Sequence, residues 1–161
     1  MAESRYEKYV VRKPSIHGKD GQLEVPERIV PKTRSSTGPL IWCNHPVIEA
    51  GIIWGDITVG TGFDGVTKPH KHDGDETFLF LGTDPKDFND LGAEAEFWLG
   101  EGDELDKVVI NTSASVFVPG GLAHFPLTWK NVKRPSIFVV VAGGGPESIL
   151  KQPVSLEGRP T

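Results

Sequence analysis

The sequence predicts an all-β fold: a single β-barrel of short antiparallel strands, entered through an N-terminal arm. Three features predict it. The 161 residues include 19 Gly and 13 Pro, which interrupt the chain too often for a helical bundle and favour short strands joined by turns. Alternation with a period of two runs through Glu76–Leu81 and Ala93–Leu99, as expected of strands with one buried face. From Val47 to Ala142 the apolar runs are short and separated by turn residues, with no internal repeat.

In chain order, residues 1–40 read as the arm, residues 41–145 as the barrel and residues 146–161 as a tail. The arm is polar and proline-rich (Pro14, Pro26, Pro31, Pro39), with a turn at Gly18–Gly21. It has room for one or two short strands that pack on the barrel or on a neighbouring subunit. No helix-turn-helix pattern appears in it. His17 and His45 read as surface or structural residues. Val47–Trp54 and Ile57–Val59 are strands, followed by a loop at Gly60–Gly65. On the strand Glu76–Leu81, Phe78 and Phe80 share the face of Glu76 and so form an inner pocket wall. Gly82–Leu91 is a polar connection. In Ala93–Leu99, Ala95, Phe97 and Leu99 point one way and Glu94, Glu96 and Trp98 point the other, to solvent. Were that reversed, Glu96 would be a candidate general base. An outward Trp98 suggests a subunit contact. Val108–Ile110, Ser115–Val118, Phe125–Trp129 and Ile137–Ala142 complete the barrel, and a loop or short helix runs from Pro146 to Lys151. Closing antiparallel strands on themselves removes exposed edges, the jelly-roll solution.

Composition narrows the partners. Hydrophobic residues make up 37% and charged residues 24%, an ordinary balance for a soluble globular chain. A formal net charge of −5 argues against nucleic acid. No stretch approaches the apolar length of a membrane span, and Met1–Val10 is charged rather than signal-like, so no membrane partner is expected. Cys43 is the only cysteine, which precludes an internal disulfide and points to the cytoplasm. A homodimer is expected, joined through the arm or an outer sheet face.

The chemistry concentrates in His70-Lys71-His72-Asp73-Gly74-Asp75-Glu76 and in Pro119-Gly120-Gly121-Leu122-Ala123-His124. Histidines two apart on a strand share a face, with Cα atoms roughly 6.5–7 Å apart, so both imidazoles reach one metal ion. Asp73-Gly74 reads as a tight hairpin turn that returns Glu76 to the histidines as an anionic ligand. His124 supplies a fourth ligand from another strand. A lone His-x-His is more often incidental than metallic; the added glutamate and the downstream histidine reverse that reading. Three His and one Glu suit a divalent ion such as iron, manganese, zinc, nickel, cobalt or copper. Lys68, two residues before His70, falls on the same face of a regular strand. Pro69 places the stretch at a sheet edge or a strand end, near the barrel mouth. Lys68 is therefore a candidate, with Glu76, for a direct role at the substrate, as the anchor of an anionic group. The simpler alternative is a solvated rim lysine.

This pattern resembles the cupin superfamily over about residues 47–142. Gly65, His70, His72, Glu76 and Gly82 follow its first motif, and Pro119, Gly121 and His124 follow its second. Two glycine spacings are each one residue short, and Ser113 and Thr128 stand where the family has a glycine and an asparagine. These departures concern loop geometry rather than ligation. The resemblance implies a cupin-type jelly roll binding a metal through His70, His72, Glu76 and His124. It also implies a small-molecule substrate. Cupins include dioxygenases, decarboxylases, lyases, isomerases and binding proteins, so the fold narrows the reaction little. No nucleophile elbow, phosphate loop or dinucleotide fingerprint is present, so any chemistry belongs to the metal. The leading expectation is an iron-dependent dioxygenase acting on a small oxygenated compound. The alternatives are a non-redox manganese or zinc lyase, isomerase or decarboxylase acting on a keto acid, and a binding barrel without turnover.

Overall fold

Short strands between turns are what the computed structural model contains. It describes residues 16–17, 23–24, 43–45, 48–59, 68–143, 151–155 and 157–159. In chain order the strands are β1 (Ile16–His17), β2 (Leu23–Glu24), β3 (Cys43–His45), β4 (Ile48–Ile53), β5 (Ile57–Val59), β6 (His70–Lys71) and β7 (Glu76–Leu81). They continue with β8 (Asp90–Leu99), β9 (Asp106–Thr112), β10 (Ala114–Val118), β11 (His124–Lys130), β12 (Ser136–Ala142) and β13 (Gln152–Pro153). β1 and β2 form a small ribbon. One larger sheet has the order β10-β7-β12-β4-β3, and the other has the order β13-β6-β11-β8-β9, with β5 also on β11. Every pairing among the described residues is antiparallel.

The core lies between the two sheets. Alternation sends Phe78, Phe80, Phe138 and Ile53 inward from the first sheet and Phe97, Leu127 and Trp129 inward from the second, and all are essentially buried. Phe80 packs on Trp129, Phe138 and Phe97 at ring separations of 5.4, 5.3 and 6.4 Å. Burying each such side chain stabilises the fold by about 1.5–3 kcal/mol.

The two outer faces differ in chemistry. On β8, Glu96 accepts from Lys107 at 2.8 Å and from Lys130 at 2.6 Å, so this face is charged. On the first sheet, register aligns Ile52 with Ile137 and Leu81, and Ala50 with Val139, Leu79 and Ser115. A third row sets Val141 beside Thr77 and Phe117. No charged side chain interrupts these rows.

Several local expectations change. Asp73-Gly74 does not close a hairpin, because β6 and β7 belong to different sheets and the chain crosses between them there. β8 begins at Asp90, inside the expected connection, where the Asp90 carboxylate accepts from the Gly92 N–H at 2.8 Å. Trp98 is half-buried on its outer face, with the Lys107 ammonium 5.9 Å from its ring centre. The helix expected from Pro146, most of the arm and the side chains of His17 and His45 lie outside the described residues. No helix among the described residues is long and apolar enough to cross a membrane.

Candidate metal centre

His70 and His124 come together because they are register partners on β6 and β11, with ring centres 4.5 Å apart. His72 arrives differently. β6 ends at Lys71, so strand parity does not place His72; the crossing between sheets does. Its Nδ1–H donates to the Gly74 carbonyl at 2.7 Å, and its ring lies 5.1 Å from His124 and 5.7 Å from His70. The second motif supports this crossing directly. The Gly121 N–H donates to the His72 carbonyl at 2.8 Å and the Gly120 N–H to Asp75 Oδ1 at 2.9 Å. A Cβ on Gly120 would lie 2.1 Å from the Asp73 carbonyl oxygen, so only glycine fits. The motif departures are absorbed locally. The Ser113 hydroxyl accepts from the Gly82 N–H and donates to the Phe88 carbonyl, and Thr128 hydrogen-bonds Thr58 across the sheet at 3.0 Å.

All three rings are buried, and one nitrogen from each lies within 4.8 Å of the others. His70, His72 and His124 face backbone carbonyls of Lys68, Gly74 and Leu122 through Nδ1, at 2.6, 2.7 and 3.0 Å. A carbonyl only accepts, so each Nδ1 carries a hydrogen, and in the neutral imidazole the lone pair sits on Nε2. The Nε2 atoms of His72 and His124 are buried without a hydrogen-bond partner. They face the same oxygen, Glu76 Oε2, at 3.3 and 3.2 Å. Lone pairs converging on a carboxylate in a buried place call for a cation between them, and a divalent metal matches this donor set. Burial, then the charge of His124, push the His70 imidazole down to about 3, against the raising effect of the Lys68 carbonyl. Burial pushes the Glu76 carboxyl up, but His124 and then His72 outweigh it and hold Glu76 below its ordinary value.

The other expected residues fall at varying distances from this cluster. Phe78 borders it, with its ring 5.8 Å from His124. Phe80 sits deeper, and its described ring contacts are core aromatics. Lys68 is exposed and precedes β6, with its carbonyl bonded to His70. The carboxylate of Glu96 faces away from the core, held below its ordinary value by hydrogen bonds from Lys107 and Lys130. Two contributors had no sequence signal. Phe125 stacks on His70 at 5.6 Å, and the buried Arg159 donates from Nε to the Phe125 carbonyl at 2.9 Å. Neither belongs to an alternating pattern that would mark it.

No family model matches the chain, and no curated protein matches it. Among solved structures, it is similar to the capsular polysaccharide assembling protein CapF from Staphylococcus aureus. The identity is 12% over 75% of this chain and 30% of that one, with a TM-score of 0.45. It is also similar to oxalate oxidase in complex with the substrate analogue glycolate, at 14% identity over 63% and 42% of the two chains and a TM-score of 0.41. A third is hydroxypropylphosphonic acid epoxidase from S. wedmorenis, at 13% identity over 65% and 49% and a TM-score of 0.39. This chain spans less than half the length of each. Two antiparallel sheets bring the residues of both motifs into one buried histidine cluster, an arrangement that resembles a cupin-type jelly roll.

Proposed function

We propose that His70, His72, His124 and Glu76 hold a divalent metal ion, and that the protein is a metal-dependent cupin enzyme acting on a small oxygenated compound. One observation carries the reading: buried Nε2 atoms of His72 and His124, fixed through Nδ1 and otherwise unpartnered, converge on one carboxylate oxygen. Glu76, the one anion of the set, offsets part of the ion's charge. Phe78 and Phe125 supply apolar walls that exclude water. Lys68 anchors an anionic group of the substrate at the rim, so Lys68→Met raises KM and leaves bound metal unchanged. Iron is the metal we favour and a dioxygenase the activity, because a histidine-and-carboxylate shell beside an aromatic wall suits redox iron, and four protein ligands would keep room for substrate. The site is that of a cytoplasmic protein on the single-cysteine argument, and the protein works as a homodimer.

The test is elemental analysis of protein purified without added metal and then dialysed, with wild type, Glu76→Gln and His72→Ala side by side. Wild type should retain about one ion, and each variant should bind at least 10–100-fold more weakly, the loss typical of even a supporting group. Equal metal content in all three sinks the site. Oxygen uptake with candidate oxygenated substrates then tests the reaction. Zinc or manganese in the protein, with turnover but no oxygen consumption, overturns the dioxygenase in favour of a lyase, isomerase or decarboxylase.

A further inference from the structure

Of the tail, residues 151–155 and 157–159 are described, and β13 lies beside the histidine cluster. β13 adds to β6, pairing Gln152 with Lys71 and Pro153 with His70, and the Val154 N–H donates to the Pro69 carbonyl at 3.0 Å. Without this addition, β6 would be a two-residue edge strand joined to β11 by the single His70–His124 pair. The chain turns at Gly158, with φ +77, and sends Arg159 inward, where it is 6% exposed. Arg159 Nε donates to the Phe125 carbonyl at 2.9 Å, Nη1 to the Ser155 carbonyl at 2.9 Å, and Nη2 to the Gly100 carbonyl. Gly100 in turn donates its N–H to the Ala123 carbonyl at 2.7 Å.

Arg159 therefore grips both sides of His124: residue 125 directly and residue 123 through Gly100. The grip falls on backbone that needs holding. Phe125 has φ 76, a left-handed conformation that a bulky residue keeps only under restraint. A guanidinium suits the task, because its rigid fork serves several carbonyls at once and its burial demands such partners.

We infer that Arg159 is a positioning residue for His124, and that β13 and Arg159 together act as a strap that sets the geometry of the histidine cluster. Only the metal arm of the test below rests on the metal-centre reading. Full-length, chelator-treated protein is followed by NMR of its histidine rings at fixed neutral pH, and then titrated with Co(II) under visible absorption. Arg159→Met should move the His124 ring signals, weaken Co(II) at least tenfold and alter its spectrum. Arg159→Lys, which offers one nitrogen in place of the fork, should show smaller changes in the same sense. Arg134→Met, which removes an ion pair with Asp90 at the other end of β8, should show none. Folded Arg159→Met with unmoved His124 signals overturns the inference, as does an Arg134→Met variant that reproduces the changes. If Arg159→Met does not fold, Arg159→Lys decides, and unmoved His124 signals there overturn it. Wild type that takes up no Co(II) defeats the metal centre, while the NMR comparison still decides the strap.

Discussion

Between the unfolded chain and the fold, His70 loses most of its affinity for a proton, from an ordinary value of 6.5 to about 3. In that window the unfolded chain binds a proton that the folded chain does not, so acid favours unfolding. Stability of the metal-free protein should fall as pH drops from 6.5 towards 3, by at most about 1.4 kcal/mol per pH unit from this group. Glu76, held below its ordinary value, adds its own loss only at more acid pH. Urea midpoints measured as pH falls from 6.5 should slope less in His70→Gln than in wild type. Parallel slopes would mean that His70 takes its proton within the fold. The identities of the converging groups were legible in the sequence, because His-x-His, Glu76 and Pro-x-Gly-x-x-His stand out as residue types. Their means of convergence were not. It depends on single backbone contacts, such as Gly121 to His72 and Arg159 to Phe125, that leave no periodic trace.

On β7, two phenylalanines of the same face do different work. Phe78 touches the His124 and Phe97 rings, whereas Phe80 packs on Trp129 and Phe138 one layer deeper. Phe80→Ala should cost about 3–5 kcal/mol in denaturant unfolding, with metal affinity retained in the folded fraction. Phe78→Ala should cost a similar amount and also weaken metal binding, since His124 loses a wall. Equal metal affinity in both variants would remove Phe78 from the site. β7 was readable because its alternation is strict and its flanks are polar. β8 was only partly so. Its first residues, Asp90 to Gly92, look like loop, and a register irregularity between Asp90 and Ala95 breaks the alternation. The Asp73-Gly74 signal was locally sound, since it does mark a sharp change of direction. A two-residue cue says nothing about which sheet receives the next strand.

For the whole molecule, the apolar rows on the outer face of β4, β12, β7 and β10 are the surface proposed for the contact of the expected homodimer. An antiparallel sheet facing water on one side is normally polar there, and Phe117 at 61% and Ile52 at 44% exposure are not. The Trp98 face is the weaker candidate, because Glu96, Lys107 and Lys130 would each need a partner on burial. Sedimentation at micromolar concentration should return a dimer burying on the order of 1,200–2,000 Å². Val139→Glu, in the middle row, should yield monomers, and Trp98→Ala should not. Wild type at monomer mass throughout would exclude the dimer. The pairing of His70 with His124 has a further consequence, in the order of assembly. Two histidines far apart in sequence meet only when β11 docks beside β6, and such non-local pairing comes late, after the cost of closing the intervening chain has been met. A peptide carrying only His70, His72 and Glu76 lacks the strand that aligns them, so it should capture an ion far more weakly than the fold. Ion uptake would then follow folding rather than guide it, and the bound ion would act mainly as a brake on unfolding, deepening the native basin by mass action.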